Sequence, residues 1–310
     1  MSFDFSAVHA PFRMQPGLRR LAAGAQQLTP NRLGDRALLE KLVVLAGHAD
    51  QALLVADGFD AGPAVRALAA HAAAEHPAAF AWDGDTHWQA HQLGWSLRGD
   101  VPVGDGPAEI GACLRALPTE WRAAALLALA FAEDFAVIDG GSGQIPWLAV
   151  CLPSHWAPED KIGRHFAQVH APVADNQLLI TASEHLTRLV TGAERWERFV
   201  WTITRHPTLS QHPQRCSTAP WPAEASVDAL AARAFFRTEH QTFIPLPDAA
   251  QAIFTIHVQM QPLADAIRSP AQARQLHAAL ASMSSSVLAY RSLTDARDRL
   301  LAWLAARAAP

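Results

Sequence analysis

The chain has 310 residues, half of them hydrophobic and 17% charged, with a formal net charge of −4, enough for one large domain or two small ones around a sizeable core. That balance excludes the basic face a nucleic-acid partner needs, and no block of like charge forms an interaction tail. Residues 1–20 hold no apolar stretch, the longest apolar run (Trp121 to Ala132) is too short for a bilayer span, and Cys113, Cys151 and Cys216 are odd in number and widely spaced. The expectation is a cytoplasmic protein without a membrane or nucleic-acid partner.

In chain order, apolar residues recur at helical spacing over Asp35 to Ala46 and Ala61 to Glu75, with Pro30 and Gly58 between segments. Residues 77–104, with Trp82, Trp88 and Trp95 among Gly and Asp, predict a short strand or irregular loop. Helices follow at Pro107 to Leu117 and Glu120 to Phe131. Phe135 to Ile138 and Trp147 to Leu152, joined through the Gly-rich residues 139–143, predict a β-hairpin. Lys161 to His170 predicts a short helix, and Ser183 to Thr191 and Ala225 to Phe236 predict two more. Glu197 to Arg205 alternates, with Phe199, Trp201 and Ile203 on one face and Val200, Thr202 and Thr204 on the other. Thr242 to Leu246 and Ala252 to Val258 are further strands, the first placed at an edge or made irregular by Pro245. Pro270 to Tyr290 and Thr294 to Ala306 close the chain as helices, with Ser269 and Thr294 as N-caps. The pattern is α+β in one domain: a helical N-terminal region over residues 1–132, a sheet-containing core over 133–262 and C-terminal helices over 263–310.

Two segments are dense in polar chemistry. In Pro153 to Val173, His170 falls one turn after Phe166, on the apolar side of a helix that Ala171-Pro172 should end. A histidine there is either an axial ligand for haem iron or a residue that hydrogen-bonds a loop. In the second segment, extended backbone over 237–243 puts Arg237, Glu239 and Gln241 on one face. They form either a solvated Arg–Glu row or a polar pocket wall. The phosphate-loop, dinucleotide, nucleophile-elbow and HExxH motifs are absent, and no CxxC pair offers a zinc or iron–sulfur site.

The run Leu152-Pro-Ser-x-Trp156-x-Pro158-x-x-Lys161-x-Gly163, then His170-x-Pro172-Val173, resembles the central signature of the haem-dependent oxidative N-demethylase α-subunit family. Arg198-x-x-Trp201 is similar to that family's Arg-x-Asn-Trp strand, and Arg237-x-Glu239-x-Gln241-Thr242 to its Arg-x-Glu-x-Gln-Thr block, followed by Leu246-Pro247 and Phe254-Thr255-Ile256. Pro11-Phe12-Arg13 and Pro16-Gly17-Leu18 fit its opening more weakly.

The resemblance implies a haem b in a PAS-like antiparallel sheet surrounded by N- and C-terminal helices. It also implies oxidative demethylation of a small secondary amine with O2 and electrons from a separate flavin and iron–sulfur donor. By position it implies His170 as the proximal iron ligand. Lys161, Arg198 and Arg237 are then cations for the haem propionates, Trp201 a porphyrin-packing or cation–π wall, and Glu239 with Gln241 the catalytic polar pair, Glu239 holding an alkylammonium. His240 and His257 stand where the family commonly has Arg, so neither takes the ligand role. The family's Asn is Val200 here, and its Pro-Val-Pro reads Pro172-Val-Ala174-Asp175. The alternative is a haem sensor or carrier that uses the same pocket without turnover.

Overall fold

A computed structural model describes residues 3–217 and 219–309. Its described residues form two antiparallel sheets. The larger contains β1 (Arg19–Arg20), β2 (Leu53–Val55), β7 (Asp134–Asp139), β8 (Trp147–Ala149), β9 (Trp196–Thr204), β10 (Phe235–Leu246) and β11 (Gln251–Pro262) in the order β1-β9-β10-β11-β7-β8-β2. The smaller is a meander of β3 (Phe80–Trp82), β4 (His87–Ala90), β5 (Trp95–Arg98) and β6 (Val101–Gly104). The mixed helices and antiparallel sheets give the expected α+β architecture. No described helix is long and apolar enough to cross a membrane.

Period-2 alternation divides the large sheet into two faces. One carries Phe135, Val137, Trp147 and Ile253, which pack into a core with Leu38, Leu45, Leu68 and Leu126 of the N-terminal helices. The β9–β10 half of the same face carries Trp201, Ile203 and Phe236. These pack on Leu276, Leu280, Leu300 and Trp303 of the C-terminal helices. Each such large apolar side chain contributes roughly 1.5–3 kcal/mol when fully buried.

The other face is covered from a different stretch of the chain. β8 and β9 follow each other in sequence but lie in the sheet with β7, β11 and β10 between them. Residues 150–195 must therefore cross this face, and they bring the helices Phe166–His170, Gln177–Thr181 and Ser183–Val190 with them. Ile162 and Val169 pack on Ala136, Leu148 and Val150, and Val190 packs on Ile138 and Phe243.

Several sequence expectations change. Residues 77–104 form the four-stranded meander rather than one short strand. The helix expected over Ala225 to Phe236 is confined to Val227–Ala231, because Phe235 and Phe236 enter β10 opposite Thr204 and Ile203. The helix expected over Lys161 to His170 is only Phe166–His170, because Gly163, at φ +69°, breaks the chain before it. Ser284 caps a new helix, Ser285–Tyr290, where one continuous helix was expected. The last helix starts at Arg297, so Thr294 is not its cap, whereas Ser269 caps its helix as expected. β10 is a central strand. Its Pro245 lies past Phe243, where pairing with β9 ends, so the missing N–H costs no β9 bond.

One buried ion pair joins the N-terminal helices to the sheet. Lys41 is fully buried, with Nζ 3.2 Å from Asp134 Oδ1, and it donates to the carbonyls of Phe131 (3.1 Å) and Glu133 (2.5 Å). Asp134 Oδ2 accepts from Leu152 N–H at 2.6 Å. Lys41→Ala strands the Asp134 carboxylate in the core, and we expect a loss of about 3–5 kcal/mol in urea unfolding. A loss below about 1 kcal/mol would show that the pair is dispensable.

Candidate functional site

The crossover is anchored before it reaches the middle of the sheet. Gly163 N–H donates to Ile145 O (2.8 Å), Ile145 N–H to Arg164 O (3.1 Å) and Phe166 N–H to Gly143 O (2.8 Å), so the chain before the helix is stitched to the β7–β8 loop. Gly143 adopts φ +69°, and a Cβ there would lie 2.4 Å from the His165 ring. The glycine-rich loop thus supplies a seat for the helix as well as a turn. His165 is the N-cap: its Nδ1 accepts from Ala167 N–H (3.1 Å), and Gln168 Oε1 accepts from His165 N–H (3.1 Å). At the far end Asn176 Nδ2 donates to the carbonyls of His170 (3.0 Å) and Ala171 (2.8 Å).

His170 ends this helix with Nδ1 2.8 Å from Phe166 O and its ring 4.1 Å from the Phe166 ring, centroid to centroid. A carbonyl only accepts, so Nδ1 carries the proton and Nε2 keeps a lone pair. Nε2 has no hydrogen-bond partner among the described residues. Burial, then the charges of Arg198 and Lys161, push the His170 pKa down to about 4, which keeps the ring neutral at pH 7. Nδ1 thus bonds the backbone, and Nε2 keeps its lone pair.

The crossover helices leave some of the sheet face uncovered. Arg198, Val200 and Thr202 of β9 and Glu239 and Gln241 of β10 are half-buried, while Trp201, Ile203, Thr238 and His240 on the opposite face are buried. Register pairs Gln241 with Arg198 and Glu239 with Val200 on one side and Val258 on the other. Glu239 accepts hydrogen bonds from Ser154 Oγ and Gln241 Nε2. It is therefore a fixed carboxylate with valines on both sides.

The three cations expected here differ. Arg237 is 1% exposed and donates from Nε to Ser154 Oγ (2.8 Å), from Nη1 to Leu209 O (2.7 Å) and from Nη2 to Leu152 O (3.0 Å). It is sealed inside the protein and holds the chain on both sides of the crossover. Lys161 is half-buried and donates to Val169 O at 3.1 Å, and burial lowers its pKa. Arg198 is half-buried; burial lowers its pKa and the Glu239 charge raises it, and it makes no hydrogen bond or ion pair with the described residues. Its donors stay available to an anion.

Trp201 lies on the other face, edge-on to Phe12 at 5.7 Å, 6.0 Å from Phe236 and under the Arg291 guanidinium at 5.5 Å. The structure thus brings together His170, Lys161, Arg198, Glu239 and Gln241 on the crossover face and places Trp201 and the Arg237 donors elsewhere. Reading by residue type overlooks Ser154, Gly143, His165 and Asn176. Ser154 lies inside the Leu152-Pro-Ser run, but a serine before a turn carries no chemical signal of its own.

A cavity of about 520 Å³ opens at the C-terminal end of β9, lined by residues that include His155, His206 and Arg291. None of His170, Arg198 or Glu239 lines it. Among the described residues no group of three or more His, Cys, Asp or Glu side chains is arranged to hold a bare metal ion.

Arginine partners predict opposite outcomes for two substitutions on this sheet. Arg237→Ala orphans the Leu152 and Leu209 carbonyls and Ser154, and should cost about 3–5 kcal/mol in urea unfolding. Arg198→Ala breaks no bond and should stay within about 0.5 kcal/mol of the parent. Equal losses would refute this division.

A family model described as haem-dependent oxidative N-demethylase, alpha subunit-like, matches residues 59–301, well over half of the chain and the whole of the crossover face.

Proposed function

Because the chain belongs to the haem-dependent oxidative N-demethylase, alpha subunit-like family, we propose that it binds haem b over the uncovered region of the large sheet, with His170 as the proximal ligand. The observation that carries this reading is the state of the His170 ring: Nδ1 fixed by a backbone carbonyl, Nε2 unengaged and neutral. Iron-ligating histidines need this arrangement, because the bond made by one nitrogen sets the tautomer and direction of the other. The donor set also fits a dianionic porphyrin edge, since Arg198 makes no hydrogen bond or ion pair with the described residues and Lys161 keeps donors to spare. Arg237, with its donors committed, is left out of that set and given the task of holding Ser154. Trp201 is left out because it faces the C-terminal helices. A PAS-like reading of the sheet is supported by the central order β9-β10-β11-β7-β8, with the crossover on one face.

Bound haem supplies the chemistry of O2 activation against a carbon–hydrogen bond. The chain's own residues bind and orient. Glu239 offers a carboxylate to an alkylammonium, and Gln241 and Ser154 fix its direction, so Gln241 is a positioning residue. Val200, half-buried beside Glu239, supplies apolar contact for the alkyl groups. Electrons come from a separate flavin and iron–sulfur protein, and the product is the demethylated amine with formaldehyde. A haem sensor or carrier is the reading to test against, since it would use the same pocket without turnover.

The test is the absorption spectrum of protein expressed with haem supply. The parent should show a Soret band that shifts on addition of dimethylamine, and His170→Ala should lose the band or its ligand signature. An unchanged spectrum in that variant would place the ligand elsewhere, and a parent that takes up no hemin would end the haem reading. Haem binding without an amine-dependent shift or formaldehyde release would favour the carrier.

A further inference from the structure

Two guanidiniums, Arg205 and Arg291, line the cavity at the end of β9, with Asp295 the carboxylate in its wall. His155 and His206 line it as imidazoles that burial holds toward the neutral form, so they serve as hydrogen-bond donors. None of these five is in an ion pair among the described residues. Arg205 donates to Ser217 O at 2.5 Å. Arg291 donates to Trp201 O at 2.5 Å and to Met14 Sδ at 3.8 Å, and lies over the rings of Phe12 and Trp201. All of those acceptors are neutral. Burial pulls the Arg291 pKa down to about 10, as expected for a guanidinium set deep without a counter-ion.

The two imidazoles lie 5.2 Å apart, centroid to centroid, and no hydrogen bond from the described residues engages either ring. His155 is held at φ +60°, a left-handed conformation that a non-glycine residue adopts at a cost, and its N–H donates to Gln211 O at 3.0 Å. The fold thus keeps a strained residue whose ring stands at the cavity rather than in the core. Trp221, buried and fixed by its Nε1 donating to Ser292 O at 2.7 Å, closes one wall of the cavity. A cavity of about 520 Å³ lies in the range of small-molecule sites and exceeds what one inorganic ion fills.

We propose that this cavity is a binding site, separate from the sheet face that holds His170, for a small organic anion whose carboxylate or phosphate meets Arg205 and the two histidines. Occupancy also has a route to the other site. His155 follows Ser154, whose hydroxyl accepts from Arg237 and donates to Glu239.

The test is calorimetric titration of the full-length protein with adenosine monophosphate and with benzoate, each paired with its neutral counterpart, adenosine and benzyl alcohol. We expect saturable binding of at least one anion below about 1 mM and none of its neutral partner. Adenosine monophosphate alone would name phosphate as the bound group, and benzoate alone the carboxylate. Arg205→Gln and His206→Asn should each weaken binding about tenfold or more, and Arg205→Lys should recover some of it. Anion binding should persist with haem bound.

The proposal fails if neither anion binds by about 5 mM, if neutral partners bind equally, or if both substitutions leave affinity unchanged. It also fails if haem loading abolishes anion binding, which would assign these cations to the haem's own carboxylates. That outcome leaves the haem reading standing, and a haem-free protein that binds the anion leaves this one standing.

Discussion

The arrangement of the crossover face depends on one buried guanidinium. Arg237 leaves the middle of β10 and takes the carbonyl of Leu152, where the chain leaves β8, and the carbonyl of Leu209, beyond β9. Two backbone segments that sequence separates by more than fifty residues are thereby held at one strand. The same guanidinium orients the Ser154 hydroxyl, which in turn fixes Glu239. A lysine could not do this: three acceptors in three directions need the planar fork of Arg. Because every one of these bonds is to an uncharged group, the charge itself is offset only at longer range by Glu239, Asp134 and Glu40. Burial accordingly holds the Arg237 pKa down to about 10.

From that anchor the rest of the face follows by topology. With β8 and β9 separated by three strands, residues 150–195 have to cross, and the hairpin loop decides where. Gly143 admits the His165 ring, and three backbone bonds to the loop hold the helix start, so the five-residue helix ends with His170 beside the open patch. A helix this short has little stability of its own. It persists through the cap at His165, the Asn176 bonds at its end and the packing of Val169 on the sheet. Removing the hairpin glycine would reach the histidine through geometry, with no contact to it.

Much of this is legible in the sequence, and the limits have physical causes. Long amphipathic helices and the alternating β9 read well, because burial on one face leaves a period. Only the second half of β10 reads as a strand, since its first half, Phe235 to Gln241, mixes apolar and charged residues on a strand buried on both sides. Arg237 and Glu239 are recognisable as a same-face pair, but spacing cannot show that one faces inward to carbonyls while the other stays half-exposed. Trp201 is grouped with Arg198 for the opposite reason: alternation separates the two, and a motif that contains both hides the fact that an odd spacing puts them on different faces. The anchoring residues Gly143, His165 and Asn176 act through backbone bonds to distant segments, which leave no trace in local pattern.

The two arginines show how stability and function divide on this face. Arg237 has acceptors for its donors and is sealed from solvent, as a residue selected for holding the fold would be. Arg198, two strand positions before Val200 and opposite Gln241, is half-buried with no acceptor among the described residues and only the Glu239 charge acting on it at longer range. No bond is lost when it is removed, so the fold does not depend on it. Its charge instead lowers the proton affinity of His170, so the two residues act on each other before any ligand arrives. An anionic cofactor edge would engage the arginine while the neutral imidazole offers its lone pair.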